Sequence, residues 1–386
     1  MSLVLYRKYR PQTFAEIIGQ EHVVQTLTNA ISSGMISHAY LFAGPRGTGK
    51  TTIARLLAKA VNCEGRKDGT AEPCNKCHSC LGIMEDRALD LIEIDAASHR
   101  GIDEVRELRD GIRFFPTKSK YKVFIIDESH QLTREAANAL LKTLEEPPGH
   151  AIFVLATTEI HKMIPTIISR CQRFDFRKLT VPEIIKRLEI ICQKEEAKIE
   201  KAALELIALN AAGSIRDGES LLDEVLTFAG ERGEIKAGDI KDLLGLVEIE
   251  LVAKFCDFLC QKKASEAINF LNEIIDRGSD LQEFAKILIN YLRQALILKM
   301  TGAKEGNPII NRASEGSEGE EEKKFLFAPG LTKEEFQKLQ TQAASFKEGE
   351  LRNLLNLFLE AENKMKYSPI PQLPLELAII ESCGVA

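Results

Sequence analysis

A short apolar run, Ala39-Tyr40-Leu41-Phe42-Ala43, breaks into Gly44-Pro45-Arg46-Gly47-Thr48-Gly49-Lys50-Thr51 and resumes as a helical pattern from Thr52 to Ala60. Few folds accept that order. The octapeptide fits G-x-x-x-x-G-K-[ST] in full, and its glycines let the backbone curl until the N–H groups point inward at an anion. With a strand before it and a helix after it, the loop belongs at the C-terminal edge of a sheet, where the helix adds the positive end of its dipole. Residues Gly44 to Thr52 would surround phosphate oxygens. Lys50 would reach the β- and γ-phosphates, and the Thr51 hydroxyl would bind Mg²⁺.

The surrounding pattern supplies the sheet. Leu89–Asp95, Val123–Ile126 and Ala151–Ala156 read as strands; helical stretches separate them, such as Thr133–Glu145, stopped by Pro147-Pro148. Alternation of this kind predicts a parallel sheet with helices on both faces. The strand Val123–Ile126 delivers Asp127 and Glu128 to its C-terminal end. A strand ending in two acids is a common surface feature on its own. Beside a phosphate loop in the same sheet, Asp127 would hold Mg²⁺ largely through water, and Glu128 would polarise a water attacking ATP.

At 386 residues the chain suits two or three domains. A net charge of -6 argues against wholesale coating of nucleic acid and leaves room for a local basic patch. No apolar run approaches the roughly 20 residues that span a bilayer. The opening residues also lack the pattern of a signal peptide, so the expectation is a cytoplasmic protein that does not engage a membrane. Four of the nine cysteines crowd together as Cys63, Cys74, Cys77 and Cys80, spaced C-x10-C-x2-C-x2-C. Two-residue gaps turn successive thiolates toward one ion, and four of them close the tetrahedral shell of structural zinc. His78 could compete as a ligand, and redox chemistry or an iron–sulfur cluster are the alternatives. Scattered thiols such as Cys171 read as packing.

From about Thr180 the strand signals fade. Val181–Lys194, Lys201–Ala211 and Ser220–Ala229 read as amphipathic helices of a small domain. Beyond Gly245, Leu251–Gln261, Ser265–Asp276, Leu281–Thr301 and Leu351–Lys366 read as an all-helical bundle. Residues 302–324, rich in Gly, Asn, Ser and Glu, read as a flexible acidic surface loop. Lys118, Lys120 and Lys122, and Arg100, Arg106 and Arg109, form positive groupings; such runs are usually solvated faces, and DNA contact is the sharper reading.

These landmarks together resemble the γ/τ family of bacterial DNA polymerase III clamp-loader ATPases, AAA+ proteins. Tyr6-Arg7-Lys8-Tyr9-Arg10-Pro11-Gln12-Thr13-Phe14 and Ile18-Gly19-Gln20-Glu21-His22 are similar to the family's start. The phosphate loop and the cysteine knuckle follow in its order. Then come the run Ala136 to Pro148, Ala156-Thr157-Thr158 and Ser169-Arg170-Cys171. The match is dense over residues 3–178, fair to about 230 and thin beyond.

The resemblance implies an AAA+ core over 1–178 with a zinc-binding insertion at 63–80, a helical lid over 179–243, and an oligomerising collar over 244–386. It implies Thr158 as sensor 1 near the γ-phosphate, Arg170 as a finger reaching the ATP of a neighbouring subunit, and Arg216 as the lid's sensor 2. Arginine suits both tasks because its fork pairs with several phosphate oxygens at once. The implied cofactors are ATP, Mg²⁺ and Zn²⁺. The implied partners are the δ and δ′ subunits, further copies of the chain, the β sliding clamp and primer–template DNA at the replisome.

Two departures from the family pattern stand out. Ser129 occupies a position where an apolar residue is expected, and Gly218-Glu219 replaces alanine and an apolar residue, which weakens the local helix. The rival readings are a non-hydrolysing scaffold subunit, for which a degraded phosphate loop is expected, and another AAA+ DNA-remodelling motor such as a Holliday-junction motor, which would not need the knuckle. Segments of a longer τ form that bind helicase and polymerase have no room here, so a γ-like or trimmed product is expected.

Overall fold

The computed structural model describes residues 4–67, 69–98, 111–112, 114–230, 233–243, 249–276, 280–301 and 333–384. The loop expected at 302–324 and the grouping of Arg100, Arg106 and Arg109 lie outside the described residues. The chain divides into two compact units, Met1–Lys236 and Ala237–Ala386.

The first unit opens with helices α1 (Leu5–Lys8) and α2 (Glu21–Ser33), then strand β1 (Ala39–Ala43) and helices α3 (Lys50–Val61) and α4 (His78–Met84). Strands β2 (Leu91–Asp95) and β3 (Lys122–Asp127), helix α5 (Arg134–Glu145), strand β4 (Ala151–Thr157), helix α6 (Pro165–Ile168) and strand β5 (Gln172–Asp175) complete the sheet layer. All pairings are parallel, in the order β2-β3-β4-β1-β5. Every residue of β1 and β4 is buried, which is why both read as unbroken apolar runs: a parallel sheet is covered on both faces. One face packs Phe14, Leu27, Phe42 and Leu57; the other packs Leu41, Phe124, Leu140 and Phe153.

The edge strand β5 carries no apolar run. Only Phe174 is buried, while Arg173 and Asp175 face solvent and keep the edge from pairing with another chain. At the other edge, β2 begins at Leu91 and not at Leu89. Asp90 is diverted to accept the backbone N–H groups of Thr117, Lys118 and Ser119 at 2.7–2.9 Å.

Helices α7 (Val181–Lys194), α8 (Lys201–Asn210) and α9 (Ile215–Ala229) follow. Helix α9 begins five residues before Ser220, where its apolar pattern predicts the start. Ser214 caps the helix, accepting the Asp217 N–H at 3.2 Å. Gly218 leaves room where an added Cβ would lie 3.2 Å from Ile184 and 3.3 Å from Ala211. Glu219, buried, bonds Arg187 Nε at 2.7 Å. The two residues that weaken the helix in sequence terms are the two that dock it.

The second unit comprises α10 (Ala237–Leu243), α11 (Ile249–Cys260), α12 (Ala264–Asp276), α13 (Leu281–Thr301), α14 (Lys333–Ser345), α15 (Glu348–Met365) and α16 (Leu373–Cys383). Phe255 anchors its core, edge-on to Phe284 at 5.2 Å and to Phe358 at 6.2 Å. A buried polar hub joins three helices: Tyr291 Oη donates to Gln342 Oε1 at 2.6 Å, and Gln342 Nε2 donates to the Ala253 carbonyl at 2.7 Å and to Asp257 at 2.6 Å. Among the described residues no helix is long and apolar enough to cross a membrane.

The first turn of α7 is fastened by charge. Arg177 grips Glu183 through Nη1 at 2.9 Å and Nη2 at 2.6 Å, and Glu183 also accepts the Thr180 N–H at 2.8 Å. Arg177, against the opposing effect of burial, holds the Glu183 carboxyl down to about 2. A depressed carboxyl contributes its stability above the unfolded value of 4.5 and loses it as the pH falls toward about 2. Glu183→Gln is expected to lower the unfolding free energy at pH 7 by about 1–2 kcal/mol, after allowing for solvent screening of the half-exposed Arg177. Urea denaturation across pH checks this: the gap between variant and parent closes below about pH 4.5, and a gap constant with pH would contradict the assignment.

Candidate functional site

The strand order places the carboxyl ends of β1, β3 and β4 side by side, with Ala43 level with Thr157. This is the crevice where the order of strands reverses and where open α/β sheets bind ligands. Gly44 adopts φ +153, and a Cβ there would lie 2.4 Å from the Phe176 carbonyl. Gly47 (φ +73) is tighter still, since a Cβ would meet Ser214 Oγ at 1.8 Å. Ile215 N donates to the Gly47 carbonyl at 3.1 Å, so the phosphate loop and the start of α9 touch directly.

Lys50 is buried and curls over the loop, donating to the carbonyls of Gly44 and Pro45 at 2.8 Å each. Burial lowers its ammonium pKa, with Glu128 and Asp127 opposing. Thr51 Oγ1 donates to Asp127 Oδ2 at 2.7 Å, bringing together the two oxygens expected to serve one cation. Thr48 braces the loop from within, its hydroxyl donating to the Pro45 carbonyl at 2.8 Å. Arg46 is exposed, and Thr52 is half-buried in the first turn of α3.

Glu128 has left-handed backbone, φ 46 and ψ 41, which costs a residue with a Cβ about 1–2 kcal/mol. That turn aims its carboxylate across the end of β4, where Thr158 Oγ1 donates to Oε2 at 2.8 Å. His130 Nδ1 lies 3.0 Å from Thr157 Oγ1 and 3.5 Å from the same Glu128 oxygen. Ser129 has a reason for its place: its buried hydroxyl donates to the Ala156 carbonyl at 2.9 Å and tightens the turn.

Lys50, Thr51, Asp127, Glu128 and Arg216 all line one cleft of about 610 Å³. Thr158 reaches it through Glu128. Arg170 does not line it: at the end of α6 its guanidinium donates to the Thr166 carbonyl at 2.8 Å and to Glu145 at 2.6 Å. Tyr6, Arg10, Arg187 and Glu219, to which no sequence pattern assigns a role, also line the cleft. Gln20 is fully buried and ties the Arg177 carbonyl at 2.8 Å to the wall beside Thr48.

The four cysteine sulfurs of Cys63, Cys74, Cys77 and Cys80 lie within 4.8 Å of one another. A shell of Zn–S bonds of about 2.3 Å has edges of about 3.8 Å, so the cluster fits one tetrahedral ion after small adjustment. Backbone N–H groups already point at the sulfurs: Cys74 N at Cys63 Sγ (3.2 Å), Cys77 N at Cys74 Sγ (3.3 Å) and Cys80 N at Cys77 Sγ (3.5 Å). Asn75, in left-handed conformation, makes the turn between the paired thiols. His78 stands outside the cluster, its Nε2 3.5 Å from Lys118 Nζ. Cys171 packs against the sheet core, and burial pushes its thiol up to about 11.

Of the lysine run, Lys118 and Lys120 are exposed, whereas Lys122 turns inward and donates to the Gly111 carbonyl at 2.8 Å.

Residues 19–180 match the family described as DNA polymerase III, delta subunit; residues 183–231 match the DNA polymerase III clamp loader subunit, ATPase lid domain; and residues 235–327 match DNA polymerase III subunits gamma and tau domain III. The DNA polymerase III subunit gamma of Buchnera aphidicola from Acyrthosiphon pisum is 37% identical over 98% of this chain and 97% of its own length. Subunit tau of Bacillus subtilis is 42% identical over 98% of this chain, and that of Escherichia coli 41% identical over 79%. The chain covers 63% and 47% of those two tau relatives. A Thermotoga maritima RuvB Holliday-junction motor overlaps 65% of the chain and 78% of its own, at 21% identity and a TM-score of 0.46. With a five-stranded parallel sheet, three adjoining helices and relatives this similar over 98% of its length, the chain belongs to the DNA polymerase III gamma/tau family.

Proposed function

We propose that the chain is an ATP-hydrolysing motor subunit of a bacterial clamp loader, with residues 1–178 as ATPase core, 179–243 as lid and 244–386 as collar. The observation that carries this is the gathering of Lys50, Thr51, Asp127, Glu128 and Arg216 on one cleft while Arg170 is turned away from it. A scaffold subunit has no use for an intact set of that kind. A self-sufficient ATPase would bring its arginine home.

In this reading Lys50 leaves the carbonyls of Gly44 and Pro45 for the β- and γ-phosphates, aided by the N–H groups of Gly47, Gly49 and Thr51. Thr51 and Asp127 would hold Mg²⁺, which when bound would neutralise charge on the phosphate oxygens. Glu128 orients the attacking water and accepts its proton, and Thr158 fixes that carboxylate as sensor 1. Arg216 reaches the γ-phosphate from the lid as sensor 2. Arg170 serves the ATP of a neighbouring copy of the chain, so hydrolysis waits on assembly. ATP then favours one arrangement of the ring, which opens the sliding clamp and grips primer–template DNA, and hydrolysis releases the clamp closed around it.

Assembly through the collar is supported by Leu373, Leu377 and Ile380, spaced four and three apart along α16 and left 36–56% exposed. Contact with DNA would be mainly to phosphates and therefore salt-sensitive; Lys118 and Lys120 are available for it, Lys122 is not. The four cysteines hold structural Zn²⁺ and take no part in the chemistry. The setting is the cytoplasmic replisome.

ATP turnover by the chain alone and with δ, δ′, clamp and primed DNA tests the reading, with Lys50→Ala as control. Low basal turnover that rises only in the full mixture is expected; turnover indifferent to clamp and DNA would point to a different remodelling task. Glu128→Gln is expected to keep nucleotide binding and abolish turnover, and robust multiple turnovers would remove Glu128 from its role. Arg170→Ala is expected to bind ATP nearly as the parent does while assembly-stimulated hydrolysis falls by roughly 10³-fold or more; normal stimulation would refute a finger acting in trans. Elemental analysis of purified chain is expected to find zinc in equal amount, and loss of that zinc on Cys77→Ala; iron or no bound metal would overturn the zinc assignment.

A further inference from the structure

The lid helix α9 is held to the start of the chain at two points one turn apart. In its first turn the Arg216 guanidinium lies 4.8 Å from the centre of the Tyr6 ring, with Arg7 at 5.8 Å from the same ring. One turn on, Glu219 bonds Arg187 Nε at 2.7 Å, and Arg187 Nη2 donates to the Tyr9 carbonyl. The side chains of this pair are only 6% and 4% exposed, so it is a fixed spacer between α9 and the segment that carries Tyr6. Tyr6, Arg187, Arg216 and Glu219 all line the cleft that contains Lys50 and Glu128.

The chemistry of the brace matters. Arg216 is itself exposed and long, so something must restrict it if it is to meet a phosphate reproducibly. A carboxylate could do so, but it would spend the guanidinium's charge and donors on itself. An aromatic ring holds the cation by its quadrupole and leaves the N–H fork and the net charge for an anion.

We infer that Tyr6 is a positioning residue that presents Arg216 to the γ-phosphate, at a distance set by the buried Arg187–Glu219 pair bonded to Tyr9. The inference rests on Arg216 acting as the lid arginine. It makes the opening segment a part of the ATP-sensing machinery: a shift of that segment moves the ring, and the ring moves the arginine.

Equilibrium binding of fluorescent ATP and ADP analogues to the whole chain tests it, comparing Tyr6→Leu, Tyr6→Phe, Arg216→Ala and the Tyr6→Leu/Arg216→Ala double variant. Tyr6→Leu is expected to weaken the ATP analogue roughly three- to tenfold while the ADP analogue stays within about twofold, as loss of one cation–π contact would give. Tyr6→Phe, which keeps the ring face, is expected to bind as the parent does, which separates positioning from a general loss of fold. In the absence of Arg216, Tyr6→Leu should have no further effect. A Tyr6→Leu loss that persists without Arg216, or that strikes ATP and ADP equally, overturns the role of Tyr6 and leaves Arg216 in place. An Arg216→Ala variant with unchanged preference for ATP over ADP removes the sensor reading, and this inference with it.

Discussion

The Ser214 side chain leaves no room for a methyl group at Gly47, and the Gly47 carbonyl accepts the Ile215 N–H at 3.1 Å. That contact joins the loop that would hold phosphates to the helix that would sense them. Much of the first unit is arranged around it. Gly44 brings the loop against Phe176, whose N–H is bonded to the Ala43 carbonyl at 2.7 Å, and the connector from Phe176 to Thr180 leads into the lid. Gln20 and the Arg177–Glu183 fork hold that connector from the other side. Because the loop lacks side-chain bulk at its contact with the lid, small changes in the backbone of one are passed to the other with little slack. Packed interfaces of this kind have discrete arrangements and transmit displacement well.

The parts that were legible in the sequence are those in which local chemistry leaves little choice. The phosphate loop, the acidic end of β3 and the cysteine cluster declare themselves because only certain residues can curl around an anion, terminate a buried strand with charge, or converge four thiolates. The long central strands are legible for the same reason: burial on both faces demands unbroken apolar runs. Strand β5 was not legible, since a charged edge strand with one buried phenylalanine has no pattern to read. Nor were α14 and α16. The former is mostly polar, and beside Leu339 and Ala343 it buries Gln342, which acts through a hub with Tyr291 and Asp257 that lies far away in sequence.

Tertiary contacts also reverse the meaning of the two departures from the family pattern. Ser129 looks like a packing defect and instead donates to the Ala156 carbonyl; Gly218 and Glu219 look helix-breaking and instead let α9 nestle against Ile184 and pair with Arg187. Propensity is a weak prior when a partner from another helix is waiting. The roles of Tyr6 and Arg187 were hidden for a related reason: each acts through a residue some two hundred or some thirty positions away, and no periodicity records such a meeting.

The left-handed backbone of Glu128 places stability and chemistry in opposition at one residue. Glycine or asparagine would sit in that conformation with less strain, so a selection that rewards heat resistance alone would drift toward them there. Engineering a hardier form of this protein therefore requires that position to be frozen while the rest of the sheet is varied. The same logic supplies a diagnostic for related chains of uncertain activity. A glycine at the equivalent turn would mark a protein that has given up the carboxylate proposed to act on water and kept the easier fold.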